Sequence, residues 1–471
     1  MSGPQDRLIE EVTARFGAKA ALTDVAAVEP WLSDWRGKYH GASAAVLSPS
    51  STEEVAEMVR LAGALGVALV PQGGNTGMVG GATPPDDGSA LILSLRRMNR
   101  IRSLDADAGI AVAEAGVILA NLHAAAEEQG RRFPLTLGSR GSCTIGGLVA
   151  TNAGGTQVLR FGTMRALVLG VEAVLPDGGI HDGLSGLKKD NRGYNFDQLL
   201  AGSEGTLGVV TAAALRLVPA VKSRAVAWLG LASPADALSV LRELERGTTH
   251  VEGFEIVPAD SLRLVLRHIP GTRPPLRGDH DWHVLVELTD DGSLKDGPEA
   301  LLGQLLAPLL QRQLVADAAI AASEAQAEAM WRIRDSISEA ERSEGPTLAH
   351  DISVAVDAMP DFMVAAAKAV ERAFPGTAAS GFGHLGDGNV HFHVRPAAAH
   401  LEQVFDDNSP AITRLVHDLV TAAGGSISAE HGIGQMKREE LARLAPGRVA
   451  HLRAIKQALD PQSIMNPGKL V

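Results

Sequence analysis

Gly381-Phe382-Gly383-His384-Leu385-Gly386-Asp387-Gly388-Asn389-Val390-His391-Phe392-His393-Val394, followed downstream by Ser428-Ala429-Glu430-His431-Gly432-Ile433-Gly434, holds the densest grouping of chemically capable side chains in the chain. The first part reads as a glycine-rich loop entering a strand. Alternation puts Val390, Phe392 and Val394 on one face of that strand and His391 and His393 on the other. His384, on the loop before it, is near enough in sequence to fold back beside His391, and Glu430 offers a carboxylate from a second glycine-bounded loop. Any one of these histidines alone reads as an ordinary hydrogen-bonded strand residue. Together, two imidazoles and a carboxylate form a catalytic metal pattern with open positions, here His384, His391 and Glu430.

Composition narrows the partners. A chain of 471 residues exceeds one small core, so two or three domains are expected. Lys and Arg number 43 against 55 acidic residues, a net charge of -12, which argues against nucleic acid and anionic membranes. An acidic substrate therefore needs local cations. Cys143 is the single cysteine, so no disulfide framework exists and a reducing compartment is expected. Met1 to Phe16 has no apolar h-region, and no run of 18 apolar residues occurs, so neither a signal peptide nor a membrane span is expected and the location reads as cytoplasmic.

Toward the N-terminus, Ala44 to Leu47 and Val67 to Val70 read as strands around a helix opened by the capping box Ser51-Thr52-Glu53-Glu54. This βαβ unit delivers the loop Pro71-Gln72-Gly73-Gly74-Asn75-Thr76-Gly77-Met78-Val79-Gly80-Gly81, whose glycines let backbone N–H groups face an anion such as a pyrophosphate. It matches neither the dinucleotide fingerprint nor the Walker loop. Two further glycine-rich runs strengthen the reading. One is Gly138-Ser139-Arg140-Gly141-Ser142-Cys143-Thr144-Ile145-Gly146-Gly147, continuing through Thr151-Asn152-Ala153-Gly154-Gly155; the other is Gly202-Ser203-Glu204-Gly205-Thr206-Leu207-Gly208, which runs into Val209. Three such loops point to one long ligand lying across an α/β domain. After Pro219 the texture changes to alternating strands and Ala/Leu helices. A helical run from Ser323 to Arg342 carries Arg334 and Ser338 four apart, hence on one face.

These segments, with Asn466-Pro467-Gly468 near the C-terminus, resemble the FAD-linked oxidases of the vanillyl-alcohol-oxidase type, in the branch of D-2-hydroxyglutarate and D-lactate dehydrogenases. The resemblance spans nearly the whole chain. It implies an α+β fold: a two-subdomain FAD-binding domain over 1–219, an antiparallel-sheet substrate cap over 220–420, and a helical element over 421–471 that returns to the flavin. It implies FAD held by the three loops and Asn466, without a covalent link because no histidine stands at the flavin loop for one. It also implies a divalent metal, most often zinc, at His384, His391 and Glu430, with His431 as catalytic base. Arg334 and Ser338 fall where the family holds the distal carboxylate of a diacid, although Thr is more usual than Ser.

Two departures stand out. His393 replaces a common Asn in the substrate site, and Ala349 stands where a lysine usually precedes the His-Asp pair, here His350-Asp351. Either the protein binds its substrate differently or the chain is a variant lacking that lysine. The expected activity is oxidation of a D-2-hydroxy acid to the 2-oxo acid, with D-2-hydroxyglutarate first, D-malate next, and D-lactate or glycolate as the runner-up. The expected partners are that small acid, an electron acceptor such as an electron-transfer flavoprotein or quinone-linked carrier, and a second copy in a homodimer. A flavin-free metal hydrolase would leave the glycine loops unexplained. A non-catalytic flavoprotein is suggested only by Ala349.

Overall fold

Strand and helix chemistry in the first 220 residues builds two larger sheets and a two-stranded one that pairs Arg131–Arg132 with Val218–Pro219. The computed structural model describes residues 3–187 and 189–471. The chain divides into two units, one made of Met1–Gly155, Phe161–Ala220 and Glu430–Val471, the other of Thr156–Arg160 and Val221–Ala429.

In the first unit, β1 (Ala21–Leu22), β2 (Val46–Leu47), β3 (Ala68–Gln72) and β4 (Ala90–Ser94) form one sheet in the order β1-β2-β4-β3. Helix α1 (Thr52–Leu65) joins β2 to β3. Its capping Ser51 accepts from the Glu54 amide, and Val55, Met58, Val59 and Ala62 are buried along one face. The expected βαβ unit is a crossover with β4 between its strands, because β2 and β3 each pair in parallel with β4. The second sheet is antiparallel, in the order β5 (Ile101–Asp105), β6 (Ile110–Glu114), β9 (Val209–Arg216), β7 (Val168–Val174), β8 (Ile180–Asp182). Helix α2 (Ile145–Thr151) packs Ile145, Leu148 and Val149 into the core of this sheet.

In the second unit, seven strands form one sheet. In chain order they are β10 (Ser223–Leu231), β11 (Val251–Pro258), β12 (Trp282–Asp290), β13 (Asp317–Ile320), β14 (Leu348–Ser353), β15 (Thr377–His384) and β16 (Asn389–Pro396), arranged β13-β10-β12-β11-β15-β16-β14. Its neighbouring strands pair antiparallel throughout. Helix α3 (Ala259–His268) follows β11. The helical run expected over Ser323 to Arg342 is two helices, α4 (Glu324–Asp335) and α5 (Ile337–Arg342), parted at Ser336. The one-face relation expected for Arg334 and Ser338 therefore does not hold as a continuous helical spacing. His384 is also not on a loop. It ends β15, and Leu385 to Gly388 turn the chain into β16. The glycines that mimic a loop are needed in the hairpin: a Cβ on Gly383 would lie 2.4 Å from the Asn389 carbonyl oxygen, and one on Gly388 would lie 2.1 Å from that of Val354.

The return segment closes the first unit with α6 (Arg438–Leu444) and α7 (Pro446–Leu459). The Glu204 carboxylate accepts from the Ile433 and Gly434 amides at 2.8 and 2.7 Å. On α7, the Lys456 ammonium donates to the carbonyls of Thr206 and Met465 at 2.8 and 2.7 Å and pairs with Asp460. Replacing Lys456 by Met should leave two carbonyls and a buried carboxylate without their donor, costing about 2 to 4 kcal/mol. Thermal unfolding should show the first unit melting several degrees lower, and an unchanged transition would mean that this anchor contributes nothing.

Candidate active site

Backbone-rich loops make the cavity of the first unit. Pro71 to Val79, Leu137 to Gly154 and Glu204 to Val210 supply most of the lining of a space of about 790 Å³, with Trp35, Glu430 and His431 also on its wall. The first two loops touch each other through their main chains. A Cβ on Gly74 would sit 2.0 Å from the Ser142 carbonyl oxygen, and one on Gly73 would sit 2.3 Å from Thr144 Oγ1. Gly77 and Gly138, in contrast, face open space. Thr144 Oγ1, on the cavity wall, is buried without a hydrogen-bond partner among the described residues, an orphan that a polar ligand would satisfy. Size, exposed backbone and this orphan fit an elongated dinucleotide such as FAD.

Most residues expected at the cofactor line the cavity: Pro71, Gly73 to Met78, Gly138, Ser139, Ser142, Cys143, Gly146, Gly147, Thr151, Gly154, Glu204, Gly205, Gly208 and Val209. Four stand behind its wall. Ile145 is a core residue, and Asn152 caps α2 in a left-handed conformation while its Oδ1 accepts from the Arg165 amide. Gly155 is pressed against the Thr136 carbonyl. Asn466 braces two loops, its Nδ2 donating to the Gly81 and Glu204 carbonyls at 2.9 and 2.7 Å. Thr144 and Trp35 were not expected on the wall; Thr144 was inside a quoted run, whereas Trp35 comes from a segment with no glycine pattern to mark it.

The second unit gathers a polar face. Pairing sets Phe382 opposite His391, His384 opposite Asn389 and Glu255, Asp351 opposite His391, and Ala349 and Ser380 opposite His393. Directly opposed residues of an antiparallel pair share a face, so one side of β11-β15-β16-β14 carries Glu255, His384, Asn389, His391, His393, Asp351 and Ala349. The rings of His384 and His391 lie 5.3 Å apart at 79°. Glu255, 1% exposed, takes Arg334 Nε on one oxygen at 2.7 Å and His384 Nδ1 on the other at 2.6 Å. Arg334 reaches this face from the last turn of α4, with its guanidinium also 3.3 Å from His384 Nε2. Farther along, Nδ1 of His393 is hydrogen-bonded to the buried Glu341 of α5, whose other oxygen accepts from Ser261. Ser338 is half-buried on α5, and Ala349 is exposed.

Electrostatics on this face are set by Glu255. Burial raises its carboxyl, but Arg334 and then His384 outweigh that and hold it down at about 2. Desolvation, then the neighbouring His384 and Arg334, push His391 well below its ordinary range, so its imidazole is neutral at pH 7 and available as a metal ligand. Burial pushes Asp387, in the hairpin turn, up to about 6 against the pull of His384. Two imidazoles, one of them oriented by a carboxylate, fit a divalent cation. Glu255 and Glu341 were missed in the sequence reading. The signal for Glu255 is weak: it is one of two glutamates, with Glu252, in the otherwise apolar run Val251 to Pro258.

Comparisons with known proteins give the family of the chain. Residues 220–470 match the family described as FAD linked oxidases, C-terminal domain, and residues 43–183 match an FAD binding domain. The chain is 37% identical over 460 residues to the mitochondrial D-2-hydroxyglutarate dehydrogenase of Arabidopsis thaliana, covering 97% of this chain and 80% of that one. It is 38% identical over 455 residues to the mitochondrial enzyme of the same name from Bos taurus, covering 96% and 81%. Among solved structures, p-cresol methylhydroxylase with substrate bound superposes with a TM-score of 0.76 at 15% identity, covering 100% of this chain and 97% of that one, a likeness of fold. The chain belongs to the FAD-linked oxidases, and the vanillyl-alcohol-oxidase type of fold expected for it is the fold found. Within that family its relatives set it in the D-2-hydroxy-acid dehydrogenase branch, and it is an FAD-dependent enzyme.

One expectation is corrected. The relatives named above are mitochondrial, which overturns the cytoplasmic reading. The physical reason is that mitochondrial targeting uses amphipathic, Arg-rich segments, so a missing apolar h-region does not bear on it. Among the described residues no helix is long and apolar enough to cross a membrane.

Replacing Glu255 by Gln should leave Arg334 buried without its counter-charge and cost about 3 to 5 kcal/mol. Because the folded carboxyl sits at about 2, below its ordinary 4.5, its stabilisation is present above pH 4.5 and is lost as pH falls toward 2. Denaturation followed from pH 7 into acid should show that slope in the natural protein and a flatter one in the variant; equal slopes would mean that Glu255 is not the ionised centre of this face.

Proposed function

We propose that the protein oxidises D-2-hydroxyglutarate to its 2-oxo acid, with FAD held non-covalently in the cavity of the first unit and a divalent metal, zinc, at the histidine pair of the second. The observation that carries this reading is the pairing of His384 with His391 on the face where Glu255 also fixes Arg334. FAD held by the glycine-rich loops of the first unit would supply the hydride acceptor, and an electron-transfer flavoprotein or quinone-linked carrier would take up the electrons. A divalent metal held by His384 and His391 would supply Lewis-acid polarisation of the substrate's hydroxyl.

The chain's own residues then have separate tasks. Neutral His391 and Glu255-oriented His384 hold the metal. Glu430 is proposed as third ligand from the sequence pattern; it is bonded to Ala429, whose amide donates to the Asp351 carbonyl of β14 at 3.4 Å. His431, beside it in sequence and on the wall of the FAD cavity, takes the hydroxyl proton near neutral pH. Arg334, aimed by Glu255, and Ser338 meet the distal carboxylate of a diacid. His393, fixed through Nδ1 by Glu341, stands directly opposite Ala349, so the small side chain and the histidine together occupy the place where the family resemblance expects lysine beside asparagine. D-lactate is the second reading, supported by that missing lysine, since a monoacid needs one cation fewer.

Three outcomes test these assignments. His391→Ala should lose metal and turnover together while retaining FAD; a fully active, metal-free variant would remove the metal from the reaction. His431→Ala should keep both cofactors and slow flavin reduction by roughly two to four powers of ten. An unchanged rate would assign the base elsewhere. Ala349→Lys should raise kcat/KM for D-2-hydroxyglutarate about ten- to a hundred-fold, the scale of one charge-assisted contact, with little gain for D-lactate. An equal gain on both acids would put the lysine at the reacting end.

A further inference from the structure

On the histidine face, the setting of Asn389 is unusual. It is 3% exposed, and neither Oδ1 nor Nδ2 has a hydrogen-bond partner among the described residues. Its main-chain amide is already satisfied by Asp387 Oδ1 at 3.0 Å, so only the side chain is unserved. The strand register sets it opposite His384 and two residues before His391, which puts the carboxamide on the same face as both imidazoles. A buried amide with both ends unpaired destabilises a fold, and a β-branched or leucine side chain would suit this strand better. The amide is therefore suited to a ligand that arrives after folding.

The ligand's chemistry follows from what the amide offers. Nδ2 is a donor and Oδ1 an acceptor, side by side and uncharged. A 2-hydroxy acid presents the complementary pair on adjacent carbons, a carboxylate that accepts and a hydroxyl that donates. We propose that Asn389 binds this shared 2-hydroxy-carboxylate end of the substrate, Nδ2 to the carboxylate and Oδ1 facing the hydroxyl. The inference rests on the reading of the histidine pair as the place where that end is held, and it deepens that reading by separating recognition of the common end from recognition of the variable end at Arg334.

The test uses the purified FAD- and metal-loaded protein with Asn389→Leu and, as the smaller change, Asn389→Ala. Four quantities are compared: FAD and metal content, melting temperature without substrate, kcat/KM for D-2-hydroxyglutarate and for D-lactate, and the Kd of 2-oxoglutarate from its perturbation of the oxidised flavin spectrum. Expected are unchanged cofactor contents, an unchanged or higher melting temperature for the leucine variant, and kcat/KM lowered about ten- to a hundred-fold by the same factor on both acids. The Kd of 2-oxoglutarate should weaken too, because it shares the carboxylate. Unaltered kcat/KM and Kd would overturn the proposal. So would a loss confined to one acid, which would move Asn389 to the variable end, or a loss of metal, which would make it part of the metal scaffold. If the natural protein turns over neither acid, the functional reading fails while the 2-oxoglutarate titration still decides whether Asn389 binds this ligand class.

Discussion

A single buried carboxylate organises the second unit's chemistry. Glu255 is nearly inaccessible, yet it stays ionised because Arg334 and His384 approach it from two sides. A buried charge of this kind is tolerated only with its partners in place. The constraint runs outward from there. Arg334 must come from the last turn of α4, His384 must end β15, and His391 must follow the tight hairpin that Gly383 and Gly388 permit. Loss of any of these would leave a charge or an imidazole misdirected on the same face.

The same arrangement sets a guanidinium on this face of a protein whose net charge is -12. The acidic excess is spread over the chain, whereas this face concentrates one guanidinium and three imidazoles beside carboxylates that orient them. Glu255 and Glu341 each use an oxygen to fix a histidine through Nδ1, and the other ring nitrogen of His384, Nε2, lies 3.3 Å from the Arg334 guanidinium. Orientation by a carboxylate behind the imidazole is a common support for metal-binding histidines.

Much of this was legible in the sequence, for definable reasons. Period-two alternation is local, so the common face of His391 and His393 follows from Asn389 to Val394 alone, and the glycine loops mark the cavity of the first unit because backbone exposure needs glycine. What was not legible depends on register between distant strands. Glu255 meets His384 through a pairing that joins segments more than a hundred residues apart, and nothing within Val251 to Pro258 names that partner. The interruption at Ser336 was hidden for a different reason: Ser323 to Arg342 is helical in composition throughout, and the break is a backbone adjustment that no residue type announces.

The central claim, that this FAD-dependent enzyme draws hydride from a D-2-hydroxy diacid, is tested most directly by mixing the purified protein with substrate in the absence of oxygen and following the flavin's visible absorbance. The account predicts bleaching with D-2-hydroxyglutarate, slower bleaching with D-lactate, and none with L-2-hydroxyglutarate. Flavin that stays oxidised with every D-acid, or that bleaches equally with the L-form, would contradict it.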